Sequence, residues 1–326
     1  MSSLETRVTN AWYAGAAWLW LLRPLEVVFR WVAGLRRCYW QRWPGRAWRA
    51  PVPVVVVGNI TVGGTGKTPV VIALVEALQA RGLRVGVVSR GHGADRRASF
   101  PHQVGPGSLA WECGDEPLLI QQRTGAPCVV APDRVAAVQA LLQRAAVDLV
   151  LCDDGLQHYA LQRDMEIAVV DAERGLGNGW CLPAGPLREP ASRLRTVDRV
   201  LYRGGDAPGS GVHYVVDGLH PLVAGADISP PAPGTRVLAM AGIGHPEQFF
   251  ATLRALGYEV DARIFPDHHE FRPEDLVALR DAPLIMTEKD AVKCRPFASA
   301  GQWYLRISAV LPADLPDQVA GLTGHR

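Results

Sequence analysis

At 326 residues the chain can hold two domains of ordinary size, each burying its own core. Hydrophobic residues at 48% against 20% charged residues read as a globular protein, and a formal charge of +2 argues against general nucleic-acid binding. The six cysteines, Cys38, Cys113, Cys128, Cys152, Cys181 and Cys294, show no CxxC or zinc-like spacing and read as reduced, mostly packed thiols of the cytosol.

The first 50 residues carry eight arginines against Glu5 and Glu26, and seven of the ten tryptophans. Their longest charge-free run, Val8 to Leu22, is shorter than the roughly 20 residues a spanning helix needs, and Arg23-Pro24 interrupts it. No small-residue cleavage pattern follows, and Trp stands where an export signal carries Leu and Ala. A helix rich in Trp, Leu and Arg suits a membrane interface, with indoles at the headgroups and guanidinium groups on lipid phosphates. The competing expectation is a helix or helical hairpin packed on the protein's own core. Apolar residues ring too much of the segment for one protein-facing stripe, which favours the interface.

Next comes "VVVVGNITVGGTGKTPVV", Val54 to Val71. Four valines predict a buried strand, and Gly63, Gly64 and Gly66 let the backbone aim N–H groups at an anion where a helix begins. Thr61, Val62, Gly63, Gly64, Thr65, Gly66, Lys67 and Thr68 align with GxxxxGK[ST], with Thr61 in place of the first Gly. In that pattern Lys67 reaches the outer phosphates and the Thr68 hydroxyl binds Mg²⁺. A glycine-rich turn without ligand is the alternative. The helical run "PVVIALVEALQARG", with Pro69 in its first turn and Gly82 near its end, supports the phosphate loop. Lys67, Lys289 and Lys293 are the only lysines in an otherwise arginine-based chain, which suggests a specific need at the loop.

From Pro53 to Tyr202 strands and amphipathic runs alternate. Strands are predicted at Val52–Val57, Arg84–Val88, Cys128–Ala131, Asp148–Cys152, Ile167–Val170 and Arg199–Tyr202. The pattern implies a mostly parallel sheet covered on both faces, with ligands at the carboxyl ends of its strands. Along it, Arg90 of "SRGHG" either meets phosphate or simply turns. Asp115 and Glu116 of "GDEP" suit equally a helix cap and an acceptor for a hydroxyl proton. Asp153 and Asp154 end a strand where a phosphate-loop protein holds Mg²⁺, although adjacent side chains point to opposite faces and one is better aimed. Gln157 lies in the turn that follows. "DAERGLGNGWCLPAGPLREP" is too long and too rich in Gly and Pro for a plain connector, so Arg174, Asn178 and Arg188 are candidate contacts to an anionic substrate, with Arg90 and Gln157.

Residues 204–234 read as a linker containing a β-hairpin, and 235–326 as a smaller α/β unit. In that unit "FPDHHEF" sets Asp267, His268 and His269 after a strand, as metal ligands or as ordinary loop histidines. "TEKDAVKC" reads as a helix start capped by Thr287. The "RPEDLVALRDA" run predicts a helix, and the last dozen residues, with no periodic signal, are expected to fray.

Taken in order, "GNITVGGTGKTP", "SRGHG", "GDEP", "DDGLQH", "GNGWCLPAGPLREP", "AGIGHPEQFF", "FPDHH" and "TEKDAVKC" resemble the tetraacyldisaccharide 4′-kinase (lipid A 4′-kinase) family over nearly the whole chain. The resemblance implies transfer of the ATP γ-phosphate to the 4′-hydroxyl of a tetraacylated glucosamine disaccharide 1-phosphate, with Mg²⁺. It implies a P-loop core domain (51–203), a smaller α/β domain on a two-stranded linker, and an N-terminal segment (1–50) at the cytoplasmic face of the inner membrane, with the protein acting as a monomer. By motif it makes Asp115 the catalytic base, His268 its partner, Lys67 a phosphate-binding catalytic residue, and Asp153 or Asp154 the metal carboxylate. His92 stands where the family commonly has Tyr. The competing expectation is a membrane-associated switch ATPase that regulates a partner, against which Val62 stands where that class carries a signature Lys.

Overall fold

A computed structural model of the protein describes residues 3–95, 98–223, 229–277 and 282–325. Two helices, α1 (Ser3–Ala14) and α2 (Arg23–Arg42), precede the first strand. The chain continues through β1 (Val54–Gly58), α3 (Lys67–Gln79), β2 (Val85–Ser89), β3 (His102–Val104), α4 (Ala110–Cys113) and α5 (Asp115–Thr124). After these come β4 (Cys128–Val130), α6 (Arg134–Arg144), β5 (Leu149–Asp153), β6 (Met165–Asp171), β7 (Arg199–Arg203) and β8 (Gly211–Pro221). The remainder comprises β9 (Arg236–Ala241), α7 (Pro246–Ala255), β10 (Glu259–Ile264), α8 (Pro273–Val277), β11 (Leu284–Thr287), α9 (Glu288–Cys294), β12 (Gln302–Val310) and α10 (Leu315–Gly321).

The strands form one twelve-stranded sheet in the order β10-β9-β11-β12-β8-β7-β6-β1-β5-β2-β4-β3. Pairing is parallel throughout, except that β3 runs against β4 and β8 against β12. β1 is central, and its valines alternate between two cores. Val55 and Val57 join the cluster built with Val70, Val71 and Leu74 of α3, while Val54 and Val56 join the opposite one with Ala137, Val138 and Leu141 of α6. A strand covered on both faces needs apolar side chains at every position, which is why the run is unbroken.

Two expectations are corrected here. The linker carries no hairpin among its described residues. β8 is a long strand whose start pairs with β7 (Tyr202 to Gly211) and whose remainder pairs antiparallel with β12, about 90 residues onward (Tyr304 to His220). Nor does the expected fraying hold for the described residues of the C-terminus. Leu315 and Val319 of α10 are fully buried in the cluster that covers α3, and Asp317 and Asp314 pair with Arg81 and Arg199 at 2.8 Å each. Seven helical residues are too few to leave a periodic trace in the sequence. Leu315→Ala is expected to lower the unfolding free energy by about 3 kcal/mol, read as a shifted denaturant midpoint of the full chain; an unchanged midpoint would mean that the helix docks without contributing. Of the expected helix in "RPEDLVALRDA", α8 covers Pro273–Val277 and residues 278–281 lie outside the described residues.

The N-terminal segment packs with one side and exposes the other. Leu19 is fully buried, the Trp12 indole donates to Pro183 O (3.0 Å), and Glu26, 1% exposed, pairs with Arg23 (2.9 Å) and accepts from the Cys181 N–H (3.3 Å). Outward, Leu21, Leu25, Val28, Val32 and Leu35 are at least half exposed, as are Trp20 and Trp31. Their spacing of four, three, four and three residues makes a continuous apolar stripe.

Candidate active site

The segment after β1 is braced by the 186–188 segment: Val62 N–H donates to Pro186 O (2.8 Å), Arg188 N–H to Ile60 O (2.7 Å), and Thr61 forms an antiparallel bridge with Leu187. Position 61 is thus held as strand, not as a turn, and its hydroxyl accepts from the Asn59 amide (3.3 Å), which also reaches Thr65 Oγ1 (3.1 Å). The left-handed backbones of the loop fall at Gly63 (φ 100) and Gly66 (φ 77), so a Thr costs nothing where the pattern has its first Gly. At Gly66 a Cβ would stand 2.5 Å from Tyr214 Oη of β8, which hydrogen-bonds the Gly66 carbonyl. The loop ends at α3, whose first residue, Lys67, is 9% exposed with Nζ 3.5 Å from Asp154 Oδ1.

Asp153 and Asp154 have separate environments. Asp154 (φ 48) turns toward Lys67 and accepts from Arg188 Nη1 at 3.0 and 3.2 Å. Burial opposes its charge, but Lys67 and Arg188 overbalance that and hold its pKa well below the usual carboxylate range. Asp153 is 1% exposed. Its Oδ2 accepts from Ser89 (3.2 Å) and its Oδ1 has no hydrogen-bond partner. Burial, then the charge of Glu116, pushes its pKa upward. An unpartnered carboxylate oxygen beside a phosphate loop suits a hard cation, which takes one or two carboxylates and completes its shell with phosphate and water. Of the two aspartates, Asp153 fits that role, and Asp154 belongs to the Lys67–Arg188 cluster.

The N-terminus of α5 meets the second half of the sheet. Gly114 (φ 89) precedes it, and a Cβ there would sit 2.4 Å from the His92 carbonyl, so "GDEP" and "SRGHG" pack in a way that demands glycine. Asp115, 4% exposed, accepts from the Glu116 N–H (2.9 Å) and lies 3.1 Å from Nδ1 of His268, in the loop after β10. With the carboxylate ionised, Nδ1 carries the proton. Burial alone would raise the Asp115 pKa, yet the His268 hydrogen bond, with Lys289 and Lys293, brings it down to about 2. His268 holds a left-handed backbone (φ 59), unusual for a side chain this large, and His92 packs edge-on against its ring at 5.1 Å. A cleft of about 350 Å³ opens on Asp115 and His268, walled by Trp111, Phe271, Lys293 and Phe297.

The remaining candidates separate. Arg174 stacks on the Tyr13 ring (4.0 Å) and hydrogen-bonds His245 at the start of α7, joining the N-terminal segment to the second half of the sheet. Arg90 is exposed at the carboxyl end of β2. The Gln157 amide donates to Asn59 O (3.1 Å) and Glu189 (3.0 Å), bracing the phosphate loop. The Asn178 amide donates to Ala184 O (2.8 Å) and its side-chain carbonyl accepts from the Trp180 N–H (3.1 Å), closing its own loop. Arg188 shares the Asp154 carboxylate with Lys67. Sequence reasoning missed Lys289, whose Nζ is within 3.7 Å of Asp115, Glu116 and Asp267; the signal available was the scarcity of lysine.

This geometry has close relatives. The chain is 54% identical over 319 residues to a tetraacyldisaccharide 4′-kinase of Azotobacter vinelandii and 51% over 313 residues to one of Pseudomonas aeruginosa, each match covering 94% of both chains. A crystal structure of LpxK from Aquifex aeolicus in complex with ATP matches with a TM-score of 0.75 at 25% identity, covering 93% of this chain and 98% of that one. Residues 18–323 match the family described as tetraacyldisaccharide-1-P 4′-kinase. The chain belongs to the tetraacyldisaccharide-1-P 4′-kinase family.

Proposed function

We propose that this protein transfers the γ-phosphate of ATP to the 4′-hydroxyl of a tetraacyldisaccharide 1-phosphate, a step of lipid A synthesis that yields lipid IVA and ADP. The observation that carries the reading is the Asp115–His268 pair at the cleft, with Glu116 close enough to Asp153 for its charge to be felt there. The loop N–H groups and Lys67 bind the phosphates. Thr68 and Asp153 would hold Mg²⁺, which supplies neutralisation of phosphate charge. Arg188 faces the same phosphates, and Asp115 accepts the hydroxyl proton as the new O–P bond forms and the bond to the departing ADP oxygen breaks. The test is transfer of labelled γ-phosphate to tetraacyldisaccharide 1-phosphate in detergent micelles with Mg²⁺. Hydrolysis of ATP with no label in the lipid would favour a membrane-bound switch ATPase instead.

A core domain (51–203) and a smaller domain (235–326) joined through β8 suit such a kinase, with α10 returning to the core, and a monomer suffices because both sides of the site come from one chain. Four acyl chains keep the acceptor in the bilayer, since each buried CH₂ is worth roughly 0.8 kcal/mol. Among the described residues no helix is long and apolar enough to cross a membrane. The stripe from Leu21 to Leu35 is the surface proposed to lie in the cytoplasmic face of the inner membrane. Leu25→Glu with Val32→Glu is expected to abolish sedimentation with phosphatidylethanolamine and phosphatidylglycerol vesicles and to raise KM for the lipid about tenfold or more, given 1.5–3 kcal/mol per buried aliphatic side chain. ATP binding should not change. Vesicle binding at the wild-type level would assign the stripe to something other than lipid.

A further inference from the structure

Lys289 is the second residue of α9, and Thr287 two residues before it caps the helix, accepting the Asp290 N–H at 3.1 Å, so the lysine position is set by the first turn. The side chain is 19% exposed, and its Nζ lies 3.3 Å from Glu116 Oε1, 3.6 Å from Asp267 Oδ1 and 3.7 Å from Asp115 Oδ2. Two of these carboxylates come from α5 in the first half of the sheet, and one from the loop that carries His268 in the second. Three carboxylates gathered on one ammonium would repel one another without it, and the repulsion would fall on Asp115, which is 4% exposed.

We propose that Lys289 is a positioning residue for phosphoryl transfer: its single ammonium ties Asp115, Glu116 and Asp267 together across the two halves of the protein and keeps the buried proton acceptor ionised and in place. This rests on Asp115 accepting the hydroxyl proton. Lys289 shares that task with the other cations facing Asp115, and it is the one that also binds Glu116 and Asp267. His268 donates to the same oxygen, but its charge depends on pH; Lys293 is engaged with Asp290 at 2.7 Å. His92 packs on His268, where burial, then the neighbouring His268, lowers its pKa and favours the neutral ring, and burial holds the Cys113 thiol protonated, its pKa pushed up to about 12.

The neighbouring residue supplies the control. Glu288 pairs with Arg123 of α5 at 2.8 Å, a buried contact across the same interface that does not involve Asp115. The pH dependence of kcat/KM would be measured on the full-length chain with ATP, Mg²⁺ and tetraacyldisaccharide 1-phosphate in micelles, for wild type, Lys289→Met, Lys289→Arg, Glu288→Gln and Asp115→Asn. Lys289→Met is expected to move the acid limb up by about one to three pH units, as for a buried carboxylate that loses one adjacent cation while the protonated His268 stays in place. Lys289→Arg keeps the charge and returns the limb. Glu288→Gln loosens the interface and leaves the limb in place. A wild-type limb in Lys289→Met, or an equal shift in Glu288→Gln, would overturn the proposal even if turnover fell, because either result describes a merely structural contact. Wild-type turnover in Asp115→Asn would be a different failure: it would remove the proton acceptor itself, and the role of Lys289 with it.

Discussion

Asp115→Asn is expected to lower kcat for lipid phosphorylation about 10³-fold, within the 10²–10⁴ range typical of a positioned proton acceptor, with ATP binding retained. The substitution keeps size and leaves an amide whose nitrogen donates where a carboxylate accepted, so the acceptor hydroxyl loses the group that takes its proton. A carboxyl held at about 2 is a weak base. Phosphoryl transfer tolerates this, because in a loose transition state the attacking hydroxyl gives up its proton late, after most of the bond to the leaving group has broken. What the reaction needs is an acceptor that is ionised at every working pH and fixed at the mouth of the cleft: the His268 hydrogen bond and Lys289 keep it ionised against the effect of burial, and the same contacts fix it. Activity within fivefold of wild type would move the role to Glu116 or to water.

The His268 contact adds a pH dependence whose sign follows from the same pair. The Asp115 hydrogen bond, opposed by burial, raises the His268 pKa above its ordinary value of 6.5. A group with a raised folded-state pKa contributes its full stabilisation below the unfolded value and loses it as pH rises through the folded one. The imidazolium–carboxylate contact therefore steadies the docking of the two halves most below about pH 6.5, and less above the raised value, where the neutral ring still donates through Nδ1.

Legibility in the sequence followed the range of each interaction. The four valines of β1 announce a strand covered on both faces, and all six strands expected between Val52 and Tyr202 lie within two residues of those observed. The Asp115–His268 pair was named through its motifs, since 153 residues separate the two and no local periodicity connects them. β8 shows the opposite case: its alternation was visible, but a strand's partner is not written in its own pattern, and a nearby hairpin was the wrong choice against β12. The Thr287 cap of the helix that carries Lys289 is legible and is present, while the three carboxylates around that lysine come from loops and helices up to 174 residues away in the chain. The left-handed backbones of Asp154 and His268 are not legible, because Asp and His tolerate positive φ better than most side chains but adopt it only where the surrounding packing imposes it.

Lys67→Met is expected to reduce kcat/KM for ATP about 10²- to 10³-fold, the scale on which removing one preorganised charge stabiliser acts. The fold should survive, because Asp154 keeps Arg188 at 3.0 Å and does not become an unpaired charge; a melting temperature within a few degrees of wild type would verify this. The more telling variant is Lys67→Arg. All three lysines of this arginine-rich chain stand at the site: Lys67 on the phosphate loop, Lys289 on the three carboxylates, and Lys293 near enough to help hold the Asp115 pKa down. At position 289 charge is the requirement. At position 67 size is the second requirement, since the side chain is 9% exposed between Asp154 and a loop whose Gly66 carbonyl is already engaged by Tyr214. A guanidinium is planar and broad where an ammonium is a compact point charge. Lys67→Arg should therefore remain as impaired as Lys67→Met, and recovery of more than about a tenth of wild-type transfer would show that the loop reads charge alone.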